Sequence, residues 1–567
     1  MLLGLTVLAT MLQGCGGRLR RFPLAEPMWV DHDRRPFGPK PPEWYSPYVW
    51  DGVDNSVFRP LVEAFVFETD REAINVNSMD EVPDSSWYTN RLSLGPIDPD
   101  VIARGSCEDV DPETPGVDDD VRGPFTITRG KPDGSNPGFF VRDPSGQMYL
   151  MKPDGELQPE RPSAADAIGA AMFHAAGYHA PCNRVVYVRA EELELDPEAE
   201  VRRTDGRRGP LTQDAVDEIL TLATRAPDGR LRFSLSRFID GEPIAPWTYE
   251  GIWPADPNDV IPHQHRRDVR GMYVLSSWLS HIDSRQENTM ASWIETEGER
   301  GYVRHYMIDF SDTLGILFTW DPLARRFGHS GYFDVQHMAE DFVTLGLLHR
   351  PWHDAEFGRA GRTLGYYDLE RYEPDQWRPG YPNPAYERMT EADAAWMART
   401  LARFSDEHLR ALVERGRFSE TIVSTELLRI LAGRRDRALE RWLTRLSPLT
   451  APVLDDDHSH VCLEDLAITS GIREVEGRSY LARGFVGPAL EPRRTALDAI
   501  GARVCVEVPR VSGASADDPA YVMIDVVART EGRETTGPLR LHLYDLGESG
   551  VRVVGLERPH EAEPPAE

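Results

Sequence analysis

Cysteine is scarce in this sequence, with five residues in a chain of 567. Four of them lie beyond the amino terminus. This is too few for a disulfide scaffold, and no two of them form the C-x-x-C pair of a zinc–thiolate site. Cys462 and Cys505 fall in one predicted β region. They could form a disulfide in an oxidising compartment or stay as two buried thiols, and the sequence alone leaves both possibilities open.

Basic residues are also few relative to acidic ones. The chain has 63 Lys and Arg against 93 Asp and Glu, which gives a net charge of −30. A surface of this sign repels the phosphates of nucleic acids and of anionic lipids, so we expect no nucleic-acid partner. The 40% of hydrophobic residues and the 13 Trp indicate a folded protein, and the length predicts two or three domains.

The amino terminus lacks Lys and Arg before its apolar run, residues 2–12, and this run is too short to span a bilayer as a helix. It has the length of a signal peptide and ends in LQGC (12–15), which resembles the bacterial lipobox. In that motif the chain is cut before the Cys and lipid is attached to its thiol. We therefore expect residues 1–15 to be a lipoprotein signal, with Cys15 as a membrane anchor on the periplasmic side or outer membrane of a bacterial envelope.

Hydrophobic periodicity divides the rest of the chain. Residues 16–75 are rich in Pro, Arg and aromatics and predict an extended tether. Residues 76–245 combine strand patterns and acidic loops with an Ala-rich helix, for which Ser163 is the expected N-cap. Residues 246–450 are mostly helical, and Thr390-x-x-Asp393 within them predicts a capping box at the start of a helix. Residues 455–567 return to a period of two, which is typical of a β-sandwich.

The order of the predicted elements is informative as well. A β-hairpin, a helix, further strands and then a helical region entered through a polar loop and a hairpin make up the layout of the protein-kinase-like fold. We therefore predict an α+β chain in which a two-lobed, kinase-like domain (76–245 and 246–450) precedes a small all-β sandwich.

Five polar residues stand where that layout needs them. Lys152 ends the strand after a Gly-rich hairpin, where a kinase Lys binds phosphates. Asp166 lies near the start of the next helix, where the fold usually has a Glu that pairs with the Lys. Asp283 and Asn288 have the spacing H-x-D-x-x-x-x-N of a catalytic base and a metal ligand, and Asp309 follows an apolar strand, where the fold holds Mg²⁺. Each residue alone is as well explained by a strand end, a helix start or a turn, so the prediction depends on the ordered set.

The predicted phosphate-binding loop departs from the usual pattern, because the motif G-x-G-x-x-G is absent. The hairpin before Lys152 instead holds Gly130, Gly134 and Gly138, and we predict that Gly130 and Gly134 contact the nucleotide. The Gly that usually stands two residues after the metal-binding Asp is replaced by Ser311.

The stretches FHAAGYHAP, HIDSRQEN and RHYMIDFSDTLG together resemble an uncharacterised bacterial lipoprotein family with a HipA-like, atypical kinase domain. The stretch DEVPDSSWYTNR (80–91) is similar to the amino-terminal signature of that family. The resemblance covers about residues 75–445. It implies ATP or another nucleotide with Mg²⁺ or Mn²⁺, and phosphoryl transfer to a hydroxyl of a protein, glycan or lipid. It implies that Lys152, with Asp166 beside it, binds phosphate, and that Asp283 is the base. It also implies that Asn288 and Asp309 hold the metal.

Two other functions stay open. A kinase-like fold outside the cytoplasm, where ATP is scarce, could bind a ligand or a partner without turnover, although the predicted base and metal ligands are all retained. His281, Asp283, His305 and Asp309 could instead hold Zn²⁺ or Mn²⁺ in a metal-dependent hydrolase. We expect His281 to support its loop by packing and hydrogen bonding.

Overall fold

A computed structural model describes residues 21–45, 48–63, 71–107, 123–131, 137–202, 208–533 and 535–559. Cys15 with the apolar amino terminus, and Gly134 in the hairpin, lie outside these residues. Helices make up 30% and strands 26%, in several sheets, so the predicted α+β class is confirmed. No helix in the described ranges combines the length and the hydrophobicity that a membrane span requires.

Most helical residues lie in the second half of the chain. The predicted tether is extended from 21 to 45 but helical from 48 to 63, so the prediction of an extended segment is wrong for that part. The α-helices are α1 (Tyr48–Val53), α2 (Arg59–Glu63), α3 (Pro99–Arg104), α4 (Arg161–Ala176), α5 (Gln213–Thr221), α6 (Arg267–Leu279), α7 (Asp321–Arg326), α8 (Val335–Val343), α9 (Pro384–Glu387), α10 (Glu391–Leu401), α11 (Asp406–Arg415), α12 (Thr421–Ala438) and α13 (Leu466–Thr469). Short π-helical turns, Asp54–Phe58 and Leu439–Leu443, continue α1 and α12.

Ten strands of the first part of the chain form two sheets. The strands are β1 (Phe125–Gly130), β2 (Phe139–Arg142), β3 (Met148–Pro153), β4 (Asn183–Val188), β5 (Leu193–Arg202), β6 (Arg208–Pro210), β7 (Leu231–Arg237), β8 (Glu242–Ala245), β9 (Thr289–Glu295) and β10 (Gly301–Met307). The larger sheet has the order β4-β7-β3-β2-β1-β5-β6, and the smaller one has the order β10-β9-β8. The antiparallel run β1-β2-β3 is the hairpin region predicted from the Gly-rich turns.

Helix α4 is buried along its whole length. Its Ala and Gly residues let the larger sheet and the helices of the second half approach it closely. The prediction that Ser163 is its N-cap is wrong, because the helix begins at Arg161. The backbone N–H of Ser163 instead donates to the carboxylate of Asp154 at 2.8 Å. Gly177 ends the helix with a φ of 118°, a left-handed conformation that favours glycine.

Helices α6, α9, α10, α11 and α12 pack with α4 around one hydrophobic core. Trp278 on α6, Trp396 on α10 and Trp442 after α12 are among its largest fully buried side chains. The predicted capping box at the start of α10 is confirmed, since Thr390 and Asp393 each bind the other's backbone N–H. This core supports the loop after α6 and the turn after β10.

The last part of the chain consists of two antiparallel sheets. The strands are β11 (Leu449–Leu454), β12 (His460–Asp465), β13 (Arg478–Val486), β14 (Glu491–Arg494), β15 (Leu497–Ile500), β16 (Arg503–Glu507), β17 (Ala520–Thr530), β18 (Leu539–Asp545) and β19 (Val551–Glu557). Their orders are β11-β12-β16-β15 and β14-β13-β17-β18-β19. Alternate residues of both sheets, such as Val504 and Ile524, share one hydrophobic cluster.

Two disulfides cross-link the described residues. Cys462 and Cys505 stand opposite each other on β12 and β16 and are bonded, so the disulfide alternative is the one observed. Cys107 and Cys182, which are 75 residues apart, form a second bond that the sequence did not suggest.

Asp80 lies at the centre of a buried group of ion pairs. It accepts hydrogen bonds from Arg267 on α6 and from Arg558 after β19, and Arg399 on α10 lies 3.5 Å from it. Burial raises its pKa, but the three guanidinium groups outweigh this effect and lower it to about 2. One carboxylate thus connects the segment around 80, the helical core and the end of the last sheet.

Candidate functional site

Lys152 meets two of the predicted carboxylates. It lies on β3, opposite Ser234 on β7, and is 5% exposed. Its Nζ is 3.2 Å from Asp309 Oδ1 and 3.7 Å from Asp166 Oδ2. The shorter Asp side chain on α4 therefore still reaches the Lys as an ion pair. The sheet, α4 and the turn after β10 each contribute one charge to this cluster.

Their mutual attraction keeps Lys152 and Asp309 ionised. Burial opposes the charge of Lys152, but Asp166 and Asp309 outweigh it and raise the pKa of the Lys. Burial likewise disfavours the charged form of Asp309, but Lys152 and then Lys131 hold the pKa of that carboxyl well below its ordinary value. Asp166 is more deeply buried, and burial raises its pKa. Asp309 is thus the acid that is most firmly ionised.

Local hydrogen bonds orient Asp309. Its Oδ1 accepts from the N–H of Ser311 at 3.1 Å and from the Ser311 hydroxyl at 2.7 Å. The residue that replaces the usual Gly is therefore used to orient the carboxylate. The backbone N–H of Phe310, the residue between Asp309 and Ser311, donates to Asp166 Oδ1 at 3.2 Å. Helix α4 approaches this turn so closely that a methyl group on Gly169 would lie 2.7 Å from the Phe310 Cβ.

The loop with the H-x-D-x-x-x-x-N spacing lies beside this turn, because Thr289 at the start of β9 pairs with Met307 at the end of β10. Asn288 closes the loop: its Nδ2 donates to the backbone oxygen of Asp283 at 2.7 Å and to its carboxylate at 2.8 Å. His281 is fully buried, and its Nε2 lies 3.1 Å from the backbone oxygen of Asp309. The loop and the turn are thereby joined through side chains as well as through the hairpin.

Asp283 has the protonation behaviour of a group that can act near neutral pH. Its side chain is 13% exposed, and its Oδ1 lies 2.9 Å from Arg285 Nε. Burial raises its pKa to about 7; Arg285 opposes this shift, and the negative charges of Asp312 and Asp309 add to it. A carboxyl that titrates there suits general base catalysis.

Sequence reasoning missed several charged neighbours. Burial and then the charge of Asp309 raise the pKa of Asp312, three residues after the predicted metal ligand. Lys131, at the hairpin, has its pKa lowered by burial and by Lys152. Arg161 donates to the backbone oxygens of Ser311 and Thr313, the latter at 2.9 Å. Nearness in the chain to a predicted site residue could have suggested Asp312, whereas Arg161 meets the turn only through the tertiary fold.

The glycines of the hairpin have packing roles in the structure. A methyl group on Gly130 would come within 2.8 Å of Val201, and one on Gly138 would lie 2.5 Å from the backbone oxygen of Met151. Gly138 therefore allows the hairpin to lie close over the strand of Lys152. Gly130 lies in β1, and Gly134 is outside the described residues.

The histidines of the hydrolase alternative do not converge on one point. His305 stacks on Trp87, with ring centroids 3.5 Å apart, and its Nδ1 lies 3.3 Å from the Ser86 hydroxyl. His263 lies 2.8 Å from Asp259. Burial and then His263 lower the pKa of His305 well below its ordinary value.

The site residues fit a hard divalent cation better than zinc. In the ranges that the structure covers, no group of three or more His, Cys, Asp or Glu could hold a metal ion. Asp309 and Asn288 are oxygen donors, and the Asn288 amide nitrogen already binds Asp283, which leaves its amide oxygen for a ligand. Mg²⁺ is commonly held by one or two such side chains together with substrate phosphates, so the donor set fits it or Mn²⁺.

Comparison with known proteins adds no relative: no protein-family model, no curated protein and no solved structure matches the chain.

Proposed function

We propose that this chain is a lipid-anchored envelope protein with a two-lobed, kinase-like (HipA-like) domain that transfers the γ-phosphoryl group of a nucleotide to a hydroxyl. The observation that carries the proposal is the position of Lys152, on the third strand of the sheet, with Asp309 at 3.2 Å and Asp166 on the following helix at 3.7 Å. Kinases use a Lys on the third strand, an acidic partner on the next helix and a metal-binding Asp in this combination.

The residues of the chain would divide the reaction between them. Lys152, with its raised pKa, stays protonated and binds phosphate oxygens. Asp283, with a pKa of about 7, would accept the proton of the acceptor hydroxyl. Asn288 would hold that carboxylate in place through its amide N–H. The bound Mg²⁺ or Mn²⁺ would neutralise phosphate charge, held by Asp309 and the Asn288 oxygen.

The two disulfides support a location outside the cytoplasm, because such bonds persist in oxidising compartments. Cys15 would then carry the lipid that anchors the chain. The acceptor would be a hydroxyl of a protein, glycan or lipid within reach of that membrane.

Nucleotide binding is the first test. The protein is heated with ATP, GTP or ADP, each with Mg²⁺ or Mn²⁺. We expect a saturating nucleotide to raise the Tm of the wild type by about 2–4 °C. Lys152→Met and Asp309→Asn should lose this shift, while the matched control Lys40→Met, at an exposed Lys paired with Glu242, should keep it. An equal shift in all four proteins, or none in the wild type, would contradict the proposal.

One observation favours a second candidate, a nucleotide-binding protein without turnover. The Asp283 carboxylate is engaged by both Arg285 and Asn288, so an acceptor hydroxyl would have to displace one of them. Transfer of labelled γ-phosphate to envelope fractions separates the two candidates. Labelled product that disappears in Asp283→Asn supports the kinase; a thermal shift without labelled product supports the binding protein.

A further inference from the structure

A polar cleft lies where the chain leaves β7. It has a volume of about 210 Å³. Its walls come from the end of β7 at Arg237, the turn after α4 at His179, and β10 at Arg304, with Arg91 and Ser106 closing it. We call it the β7 cleft. None of the five predicted site residues lines it.

The β7 cleft is positively charged in a chain whose net charge is −30. Arg237 and Arg304 line it, and Asp240 is the only carboxylate among its described lining residues. Asp240 lies 3.3 Å from Arg304, but 71% of its side chain is exposed. A water-exposed carboxylate neutralises its partner only weakly, so the cleft keeps a surplus of positive charge.

Several polar groups of the cleft lack partners. The Nε2 of His179 and the hydroxyl of Ser106 are buried without a hydrogen bond. Within the described residues, no hydrogen bond or ion pair engages the Arg237 guanidinium, and its backbone N–H donates to the Cys182 oxygen. Buried donors without partners are costly in a folded protein and are usually satisfied by a ligand, an ion or water.

Two further observations indicate a preformed site. The disulfide between Cys107 and Cys182 holds the backbone next to Ser106 against the turn that carries His179. Burial, followed by the charges of Arg91 and Arg304, lowers the pKa of His179 well below its ordinary value, which places the imidazole in the positive field of the cleft.

A larger cleft, of about 570 Å³, differs in this respect. It lies between the end of α12 and the last sheet, and most of its arginines are already paired. Arg473 and Arg533 both bind Glu440, and Arg478 lies 2.7 Å from Asp465. The pairs with Glu440 join the helical part of the chain to the last part, so the unpaired groups of the β7 cleft make it the stronger candidate for a ligand.

We propose that the β7 cleft binds a tetrahedral oxyanion, namely phosphate, either free or as a phosphomonoester. Arg237 and the Arg304 Nε, which is buried without a hydrogen bond to any described residue, supply charge-assisted hydrogen bonds to the anion, and His179 and Ser106 supply neutral ones. The terminal nitrogens of Arg304 already donate to Tyr302, Tyr306 and Asp240. The volume accommodates a phosphate group with a small substituent, and no residue of the Lys152 cluster lines the cleft, so this site is distinct from that of Lys152.

The test is calorimetric titration of the full chain with inorganic phosphate, at constant ionic strength adjusted with chloride. We expect saturable binding to the wild type. Arg237→Gln should weaken it about ten- to a hundredfold, because a charged donor is removed. The matched control Arg208→Gln, with a side chain that is 75% exposed, should bind as the wild type does. Lys152→Met should also bind normally, which separates this site from the nucleotide site.

Glycerol 3-phosphate distinguishes the two sources of the anion. Tighter binding than that of inorganic phosphate assigns a phosphomonoester, and tighter binding of inorganic phosphate assigns the free ion. Arg237→Lys controls for loss of binding through misfolding. It keeps the positive charge, so it should retain part of the affinity for phosphate. The proposal is overturned if the wild type does not bind phosphate, or if Arg237→Gln binds it as the wild type does.

Discussion

Replacing Asp283 by Asn should raise the stability of the folded protein relative to the wild type as pH increases. The cause is the raised pKa of Asp283, about 7 in the folded protein against an ordinary value of 3.8. Between these two values the folded state keeps a proton that the unfolded chain has released. Stability must therefore fall as pH rises through this window, because the carboxyl becomes a buried charge. Asn carries no such charge and escapes the loss.

The size of the effect follows from the same two pKa values. At about 1.4 kcal/mol per pKa unit, the wild type loses ~3 kcal/mol of stability through this group between about pH 5 and about pH 8.5. Little reduction for solvent screening applies, because the side chain is only 13% exposed. The substitution also removes the ion pair with Arg285. That ion pair exists only where the carboxyl is ionised, and its contribution is already contained in the pKa of about 7.

The measurement is the free energy of unfolding in urea, followed by Trp fluorescence without nucleotide or metal, for wild type and variant at both pH values. The stability difference between Asp283→Asn and the wild type should shift in favour of the variant by ~3 kcal/mol at the higher pH. Asp498→Asn, at an exposed strand position, is the matched control and should show no such shift. A difference for Asp283→Asn that is constant within about 0.5 kcal/mol would refute the raised pKa, and with it the case for this residue as a base.

Two substitutions outside the reacting groups test how the fold supports the site. Asp80→Asn should lower the free energy of unfolding by about 3–5 kcal/mol in urea, since Arg558 and its neighbours lose their shared buried carboxylate; a loss below about 1 kcal/mol would contradict this. Gly169→Ala should weaken nucleotide binding about tenfold in a thermal-shift titration, because its Cβ would lie 2.7 Å from that of Phe310, next to Asp309, which we propose as a metal ligand. Gly52→Ala, where no atom lies within 4 Å of the added Cβ, is the control, and equal affinity in both variants would argue against the steric mechanism.

Local features were predictable from the sequence. The alternation of apolar residues identified β17 and β18, and the Thr390-x-x-Asp393 pattern identified the start of α10, because these signals depend on residues close together in the chain. The start of α4 was placed wrongly at Ser163. The carboxylate of Asp154, directly after β3, binds the N–H of that residue, and such a contact is not visible in the helical pattern.

The candidate site shows the same division between local signals and contacts made only by the tertiary fold. The spacing between Asp283 and Asn288 is local, so the sequence by itself was enough to predict a loop that holds both, and the hydrogen bond between them is observed. The raised pKa of Asp283 depends on burial and on Asp312, and neither could be foreseen from the spacing.

The sequence by itself determined the class of the fold, the order of its elements and the residue types available for chemistry, because propensity, periodicity and charge act over short distances along the chain. Only the tertiary structure decided which of these residues meet. Lys152 and Asp309 are 157 residues apart and come within 3.2 Å because β3 and the turn after β10 both pack against α4. The Cys107–Cys182 bond and the unpaired Arg237 in the β7 cleft likewise depend on how the sheets and helices pack, since close packing of distant segments sets the distances on which hydrogen bonds and ion pairs depend.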